Sequence, residues 1–409
     1  MGNLPLRNGV VNYKQLYSDA EKLLERIGFD VNPKTIVRLL NSGQMQMLSI
    51  MRACAKNPKI LIMDEPTSAL TDQEVETLMK LLGELRESGV SVIYISHKMQ
   101  EVYRICDRIT VIRDGQTIST NDIDKVQEQT LIEEMVGRKV ENMYPKENHA
   151  TKEEVLRVEH LSVPHPNIHG KYIVEDIGFK LHKGEILGIG GLVGAGRSES
   201  LAAVFGQYVK GVKKEVWING KKVKITKPLD AIRHGIGFIT EERKLTGYIG
   251  VLSIRENMSI ASLKKLSGLI LMKRRKEREE TDKQFNQLRV KAPSSETKLF
   301  QLSGGNQQKV ILGKWLINEP EILFIDEPTK GIDVGTKADF YQIMNELTSR
   351  GVSIVMVSSD MPELIAMSDR CIVISEGRIT AELEGDEITE TNVMRAAIQG
   401  KDQKEEKYA

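Results

Sequence analysis

Two acidic pairs stand at equivalent places in the chain. Asp64-Glu65 follows the apolar run Ile60-Leu61-Ile62-Met63, Asp326-Glu327 follows Ile322-Leu323-Phe324-Ile325, and each pair leads into Pro-Thr. A carboxylate at the end of a short apolar strand lies where open α/β sheets bind ligands, at their carboxyl edge. There Asp64 and Asp326 could hold a Mg²⁺ ion directly or through water, while Glu65 and Glu327 could orient and activate a water against a γ-phosphate. One such pair could also be a solvated strand end; two copies, each followed by Pro-Thr, favour the chemical reading. Between the pairs runs Gly191-Leu192-Val193-Gly194-Ala195-Gly196-Arg197-Ser198, which fits GxxxxGK[ST] except for Arg197. Gly191, Gly194 and Gly196 let backbone N–H groups, that of Ala195 among them, turn inward onto phosphate oxygens, and a helix beginning near Ser198 adds its positive end. The Ser198 hydroxyl is spaced to reach Mg²⁺. Arg197 brings a planar fork where a compact ammonium is usual, so binding can survive while hydrolysis suffers. Alone, so degenerate a loop would read as well as a glycine-rich turn.

The elements that must carry these residues are repeated. Asp326 lies 262 positions after Asp64, and the same offset pairs Leu40 with Leu302, Gly43 with Gly305, Gln46 with Gln308, Ser96 with Ser358, Asp107 with Asp369 and Gly115 with Gly377. A register kept without a gap over that distance indicates tandem duplication of one domain. The unalternating apolar runs Ile60–Met63, Val92–Ile95, Ile322–Ile325 and Ile354–Val357 predict strands buried on both faces of a parallel sheet. Helical patterns such as Glu74 to Glu87 lie between them, so the fold class is α/β. A polar stretch at 141–154 reads as a linker between a first domain at 1–140 and a second at 155–400, with a charged tail at 401–409. The charge run Lys273 to Glu280 reads as a solvated helix face.

Upstream of the second acidic pair stands Leu302-Ser303-Gly304-Gly305-Asn306-Gln307-Gln308. With it, the second copy resembles the nucleotide-binding domain of an ABC transporter ATPase, a P-loop NTPase with an LSGGQ signature. The resemblance implies ATP and Mg²⁺ as cofactors, Ser303, Gly304 and Gly305 as donors to γ-phosphate oxygens, and Gln308 in the nucleotide-binding set. In that family two domains pack head to tail, with each ATP between one phosphate loop and the other domain's signature. The first copy has an altered signature, with Asn41 for the serine and Ser42 for its first glycine. It also has Ser96-His97-Lys98, which resembles the family's switch histidine, where the second copy has Ser359. Asp333 matches the family's D-loop aspartate, opposite Thr71. One composite site, of Asp64, Glu65 and His97 with Ser303-Gly304-Gly305, is thus equipped for hydrolysis. The other, of Gly191–Ser198, Asp326 and Glu327 with Asn41-Ser42-Gly43, is fit mainly to bind.

That asymmetry on one chain resembles the ATPase subunits of bacterial monosaccharide importers for galactose or methyl galactoside, ribose and xylose. Thr240-Glu241-Glu242-Arg243-Lys244 and Asn306-Gln307-Gln308 are similar to that group, and Gln44-Met45-Gln46-Met47 and Val136-Gly137-Arg138 to its galactose/methyl galactoside type. The resemblance implies a subunit peripheral to the cytoplasmic face of the inner membrane. Its partners would be membrane permease subunits, touching near Glu241–Gly250, with an extracytoplasmic sugar-binding protein; no direct sugar contact is expected. No GxxxxGK[ST] occurs in residues 1–60, and counting 262 back from Gly191 falls before Met1, so the expectation is a first domain without its phosphate loop, truncated and weakly active or inactive.

Composition agrees with this reading. Lys+Arg 58 against Asp+Glu 57 gives a net charge of +1, which argues against a nucleic-acid binder. The alternatives are a soluble tandem ABC protein acting on ribosomes or nucleic acid, which usually carries a long basic linker, and a catalytically silent fragment. Three cysteines, Cys54, Cys106 and Cys371, form no framework and read as inert core thiols. No apolar run approaches the ~20 residues of a membrane span. His160, His165 and His169 read as loop residues rather than metal ligands, and Met45 and Met47 as packing residues.

Overall fold

The computed structural model describes residues 4–398 apart from 8, 28, 30, 57, 68, 69, 97, 114, 137–143, 169, 209, 269 and 270. Contacts divide the chain into two compact units, Met1–Val140 and Glu141–Ala409.

In the first unit, helices α1 (Tyr13–Ile27) and α2 (Ser42–Cys54) precede β1 (Ile60–Asp64), α3 (Asp72–Glu87), β2 (Ser91–Ile95) and α4 (Met99–Ile105). A hairpin of β3 (Arg108–Arg113) and β4 (Gln116–Asp122) and helix α5 (Glu128–Val136) follow. Strands β1 and β2 pair in parallel with Asp64 opposite Ile95. Leu61 and Met63 point from β1 into a core with Met47, Leu78 and Leu82. The other face is open: Ile60 and Ile62 are 62% and 65% exposed. The expectation of strands buried on both faces therefore fails in this unit, because α3 and its neighbours cover one side of a two-stranded sheet. Met47 packs as expected, whereas Met45 is exposed.

The second unit begins with β5 (Glu154–Pro164) and β6 (Tyr172–His182), then β7 (Ile186–Gly190), α6 (Arg197–Phe205), β8 (Lys213–Ile218) and β9 (Lys221–Val223). After α7 (Pro228–Arg233) and β10 (Ile236–Ile239) come α8 (Ile254–Ser259), α9 (Arg274–Gln287) and α10 (Gly304–Leu316). The chain continues through β11 (Ile322–Asp326), α11 (Val334–Ser349), β12 (Ser353–Val357), α12 (Met361–Met367) and a last pair, β13 (Arg370–Ser375) and β14 (Arg378–Glu384). The main sheet runs β10-β11-β12-β7-β13-β14, parallel except at β14, and β9-β8-β5-β6 forms a second, antiparallel sheet. Here β7, β11 and β12 are buried at every position, as unalternating apolar strands predict. Asp326 stands opposite Val357, the register of Asp64 opposite Ile95.

Helix α9 bears out the charge run as a solvated face at Lys273, Arg274, Arg275, Arg278 and Glu279, with Glu277 as the exception. Glu277, Thr281 and Gln284, spaced by four and three, form a buried stripe. Glu277 accepts from Ser259 at 2.8 Å and pairs with Arg255 at 2.9 Å, so one charged residue of the run anchors α9 to α8.

Candidate functional site

The phosphate loop of the second unit joins β7 to α6. Gly191, Gly194 and Gly196 have φ of 139°, 82° and 100°, in the region that favours glycine. A Cβ on Gly191 would lie 2.2 Å from the Ile374 carbonyl oxygen, and one on Gly196 2.9 Å from that of Ile173. At Gly194 nothing lies within 4 Å, so only the backbone angle demands glycine there. Ala195 is buried and held by its N–H on Leu192 O at 3.1 Å. Helix α6 has Gly196 at its N-cap and no side chain capping it. Its first amides therefore remain available to an anion, which is where helices bind phosphate.

Ser198, in the first turn of α6, donates to Asp326 Oδ1 at 3.1 Å at the end of β11. Burial pushes the Asp326 carboxyl up to about 7; the bond from Ser198 opposes this, and the charges of Glu241 and Glu327 add to it. Such a carboxylate gains from a cation, and Ser198 with Asp326 offers two hard oxygens. Among the described residues no group of three His, Cys, Asp or Glu side chains could enclose a metal. Two donors suit Mg²⁺, which takes the rest of its octahedron from phosphate and water.

Glu327 carries the clearest backbone signal. Its φ is 54°, unusual for a residue with a side chain, and Glu65 at the same place in the repeat has 45°. Both are fixed alike: Glu327 N–H donates to Val357 O at 2.8 Å, and Glu65 N–H to Ile95 O at 2.9 Å. Around Glu327 the structure adds two contacts. Ser359 Oγ donates to Oε2 at 2.8 Å, and Arg197 Nη2 lies 4.0 Å from Oε1. The buried Arg197 also gives Nη1 to the Ser358 carbonyl at 2.9 Å, so its fork grips the β12–α12 turn. Asp64 and Glu65 occupy the end of β1 in the first unit, with Asp64 exposed and Glu65 half-buried. His97 lies outside the described residues.

Ser303, Gly304 and Gly305 open α10 rather than the phosphate loop. Ser303 is the N-cap, yet its side chain does not cap the helix; Asn306 Nδ2 donates to Ser303 Oγ at 2.9 Å instead. A Cβ on Gly305 would meet Thr336 Cγ2 at 2.2 Å, so the close packing of α10 on α11 already requires this glycine. Gln308 departs from the expectation of a nucleotide contact. It is buried in α10, and both amide atoms lack a hydrogen-bond partner.

The altered signature of the first unit is closed on itself. Asn41 Oδ1 accepts from Gln44 N–H at 2.8 Å, and Gln44 Oε1 accepts from Asn41 N–H at 3.1 Å, a full capping box. Both partners could have been found in advance, since an N-cap residue followed three places later by Gln is the signature of that box. Ser303 is followed by Asn306 and forms none. The bond from Ser359 to Glu327 had no such local signal, because the partners lie 32 residues apart.

The comparisons agree with this geometry. A profile described as ABC transporter matches residues 5–68 and 174–330. The xylose import ATP-binding protein of Geobacillus kaustophilus is 45% identical over 98% of this chain and 79% of its own length. The ribose import ATP-binding protein of the same organism is 41% identical over 96% and 78%. The galactose/methyl galactoside import ATP-binding protein of Clostridium perfringens is 42% identical over 96% and 75%. A solved ATP-binding cassette of an ABC transporter, 20% identical, aligns with a TM-score of 0.52 over 59% of this chain and 98% of its own. The chain belongs to the ABC transporter family, among its sugar-import ATP-binding proteins.

Proposed function

We propose that the chain binds ATP in the second unit and is the energising subunit for import of a monosaccharide. The observation that carries the binding reading is the Ser198–Asp326 contact at 3.1 Å beneath the uncapped start of α6. Amides of the loop Gly191–Arg197, other than that of Ala195, which is spent on Leu192 O, would hold phosphate oxygens, and Ser198 with Asp326 would hold Mg²⁺, which when bound neutralises phosphate charge. Glu327 is placed to take a proton from an attacking water. Held by Ser359 and faced by Arg197, it is poorly free to do so, and the pocket retains nucleotide more than it turns it over.

We assign the better base to Glu65, with Asp64 toward the metal and His97 toward the γ-phosphate. The relatives' names support sugar import, and xylose, ribose, arabinose and galactose are all named among them at 41–45% identity. Partners would be membrane permease subunits, served outside by a sugar-binding protein, with this chain peripheral to the inner membrane and touching no sugar. Exposed Leu245, Ile249, Val251 and Phe300 provide an apolar surface suited to a permease. Among the described residues no helix is long and apolar enough to cross a membrane.

Titration with a fluorescent ATP analogue tests the pocket. Ser198→Ala and Asp326→Asn are expected to weaken Mg²⁺-dependent binding by ~10-fold or more, the usual effect of disturbing a metal shell. Absence of saturable binding by the unaltered chain would overturn the reading. In a chain extended to carry a phosphate loop before the first unit, steady-state phosphate release tests the bases: Glu65→Gln should remove most turnover and Glu327→Gln far less. Equal losses would sink the assignment, and co-purification with ribosomes rather than permeases would refute the transport role.

A further inference from the structure

After β10 the chain makes a single π-helical turn, Arg243–Gly247. Such turns recur at functional sites. The half-buried Arg243 gives Nη1 to the carbonyl of Gly304 at 2.8 Å and Nη2 to that of Gly331 at 3.1 Å. Gly304 is the first residue of α10, inside Ser303–Gly305. Gly331 lies in the segment 327–333 between the Glu327 turn and α11. The fork fits only because both acceptors are glycines. A Cβ on Gly304 would lie 2.9 Å from Gly331 O and 3.2 Å from Arg243 Nη1, and one on Gly331, whose φ is +64°, would lie 3.1 Å from Nη2.

Neighbouring bonds fix each end of this bridge. Lys330, beside Gly331, pairs with Glu241 at 2.7 Å, so segment 327–333 is tied at two adjacent residues to the segment after β10. Lys314, near the far end of α10, donates to Gly247 O at 2.7 Å, and a Cβ on Gly247 would meet Ile311 at 2.9 Å. The turn is thus fastened along α10. Segment 327–333 starts next to Asp326 and ends at Asp333, which caps α11 by accepting from Thr336 N–H at 3.0 Å.

We propose that the Arg243 fork is a relay within the second unit, carrying the occupancy of Gly191–Ser198 and Asp326 through segment 327–333 to the same unit's Ser303–Gly305. It rests on the reading of that pocket as the ATP site. Two fixed N–H vectors on one rigid plane hold two backbones at a set separation, so a shift of Gly331 is passed to Gly304. A lysine can reach two carbonyls, but its rotatable ammonium on a flexible stem does not hold them at a set separation as the planar fork does.

Hydrogen exchange over peptides covering 303–306 and 329–333 tests the relay on the full chain, with and without MgATP. ATP is expected to slow exchange at 303–306 by ~5-fold or more in the unaltered chain, the lower end of ordinary coupling. In Arg243→Lys, ATP affinity should be kept and this ATP-dependent ratio lost. A purely structural arginine would instead raise exchange equally in both states and leave the ratio intact. Should Arg243→Lys melt early, Lys330→Gln, which removes one of the two ties, should reduce the same ratio. A variant that binds ATP and keeps the full response overturns the relay, as does an unaltered chain that binds ATP without any response. An unaltered chain that binds no ATP removes the pocket's reading, and the relay with it.

Discussion

Glu363 shows how one buried carboxyl sets both geometry and pH response. It is 1% exposed, accepts from Thr329 at 2.7 Å and from Ser358, and burial pushes it from its ordinary 4.5 up to about 7. Because the folded chain holds this proton to higher pH than the unfolded one, the group favours folding most below about 4.5. That contribution declines as pH rises towards 7. Glu363→Gln should therefore flatten the fall in stability between pH 5 and 7.5, read from urea midpoints at the two values. An unchanged slope would contradict the assignment. Some of this chemistry was legible beforehand: a strand ending in Asp326 and a loop ending in Ser198 already implied their meeting. The grip of Arg197 on Ser358 was not, because the partners are 161 residues apart and either could have met solvent.

The two signature helices begin differently, and their energetics should differ in step. In α2 the N-cap residue Asn41 satisfies a helix amide by its own side chain; in α10 Ser303 leaves that group unfilled. Asn41→Ala should cost the first unit ~1 kcal/mol, the usual value of an N-cap. Ser303→Ala should cost the second unit only a few tenths, within the range of surface changes. Thermal melting of both variants decides this, and a large loss for Ser303→Ala would show a capping role that the geometry lacks. The Asn-x-x-Gln spacing was readable from sequence; that the Ser303 hydroxyl is held by Asn306 depends on the side chain's rotamer, which spacing does not specify.

Each unit has its own core, and the cores are unequal. The second encloses Phe324, Phe340 and Tyr341 completely, while the first leaves one face of β1 and β2 open. Calorimetry should therefore resolve two transitions, with the lower belonging to the first unit. Within it, Leu61→Ala should cost ~2–4 kcal/mol, whereas Ile62→Thr, on the open face, should stay within ~0.5 kcal/mol. Sequence reasoning placed these strands correctly but judged both faces covered, because Ile60-Leu61-Ile62-Met63 is uniformly apolar. Hydrophobicity records what a strand can bury, not what is there to bury it.

The strained glutamates add one consequence for anyone who would build with this fold. Glu65 keeps its left-handed backbone although the sheet beneath it is covered on one side only. What holds it lies within the stretch from β1 through β2 to α4: the bond to Ile95, and the Thr67 hydroxyl on Glu101 at 2.9 Å, mirrored by Thr329 on Glu363. The segment from Ile60 to Glu101 thus supplies the bonds that shape the acidic strand end, while Met47, Ile50 and Met51 of α2 complete the core beneath it. A copy grafted onto another parallel sheet should therefore bring its glutamate into the same pose only where an apolar helix takes the place of α2.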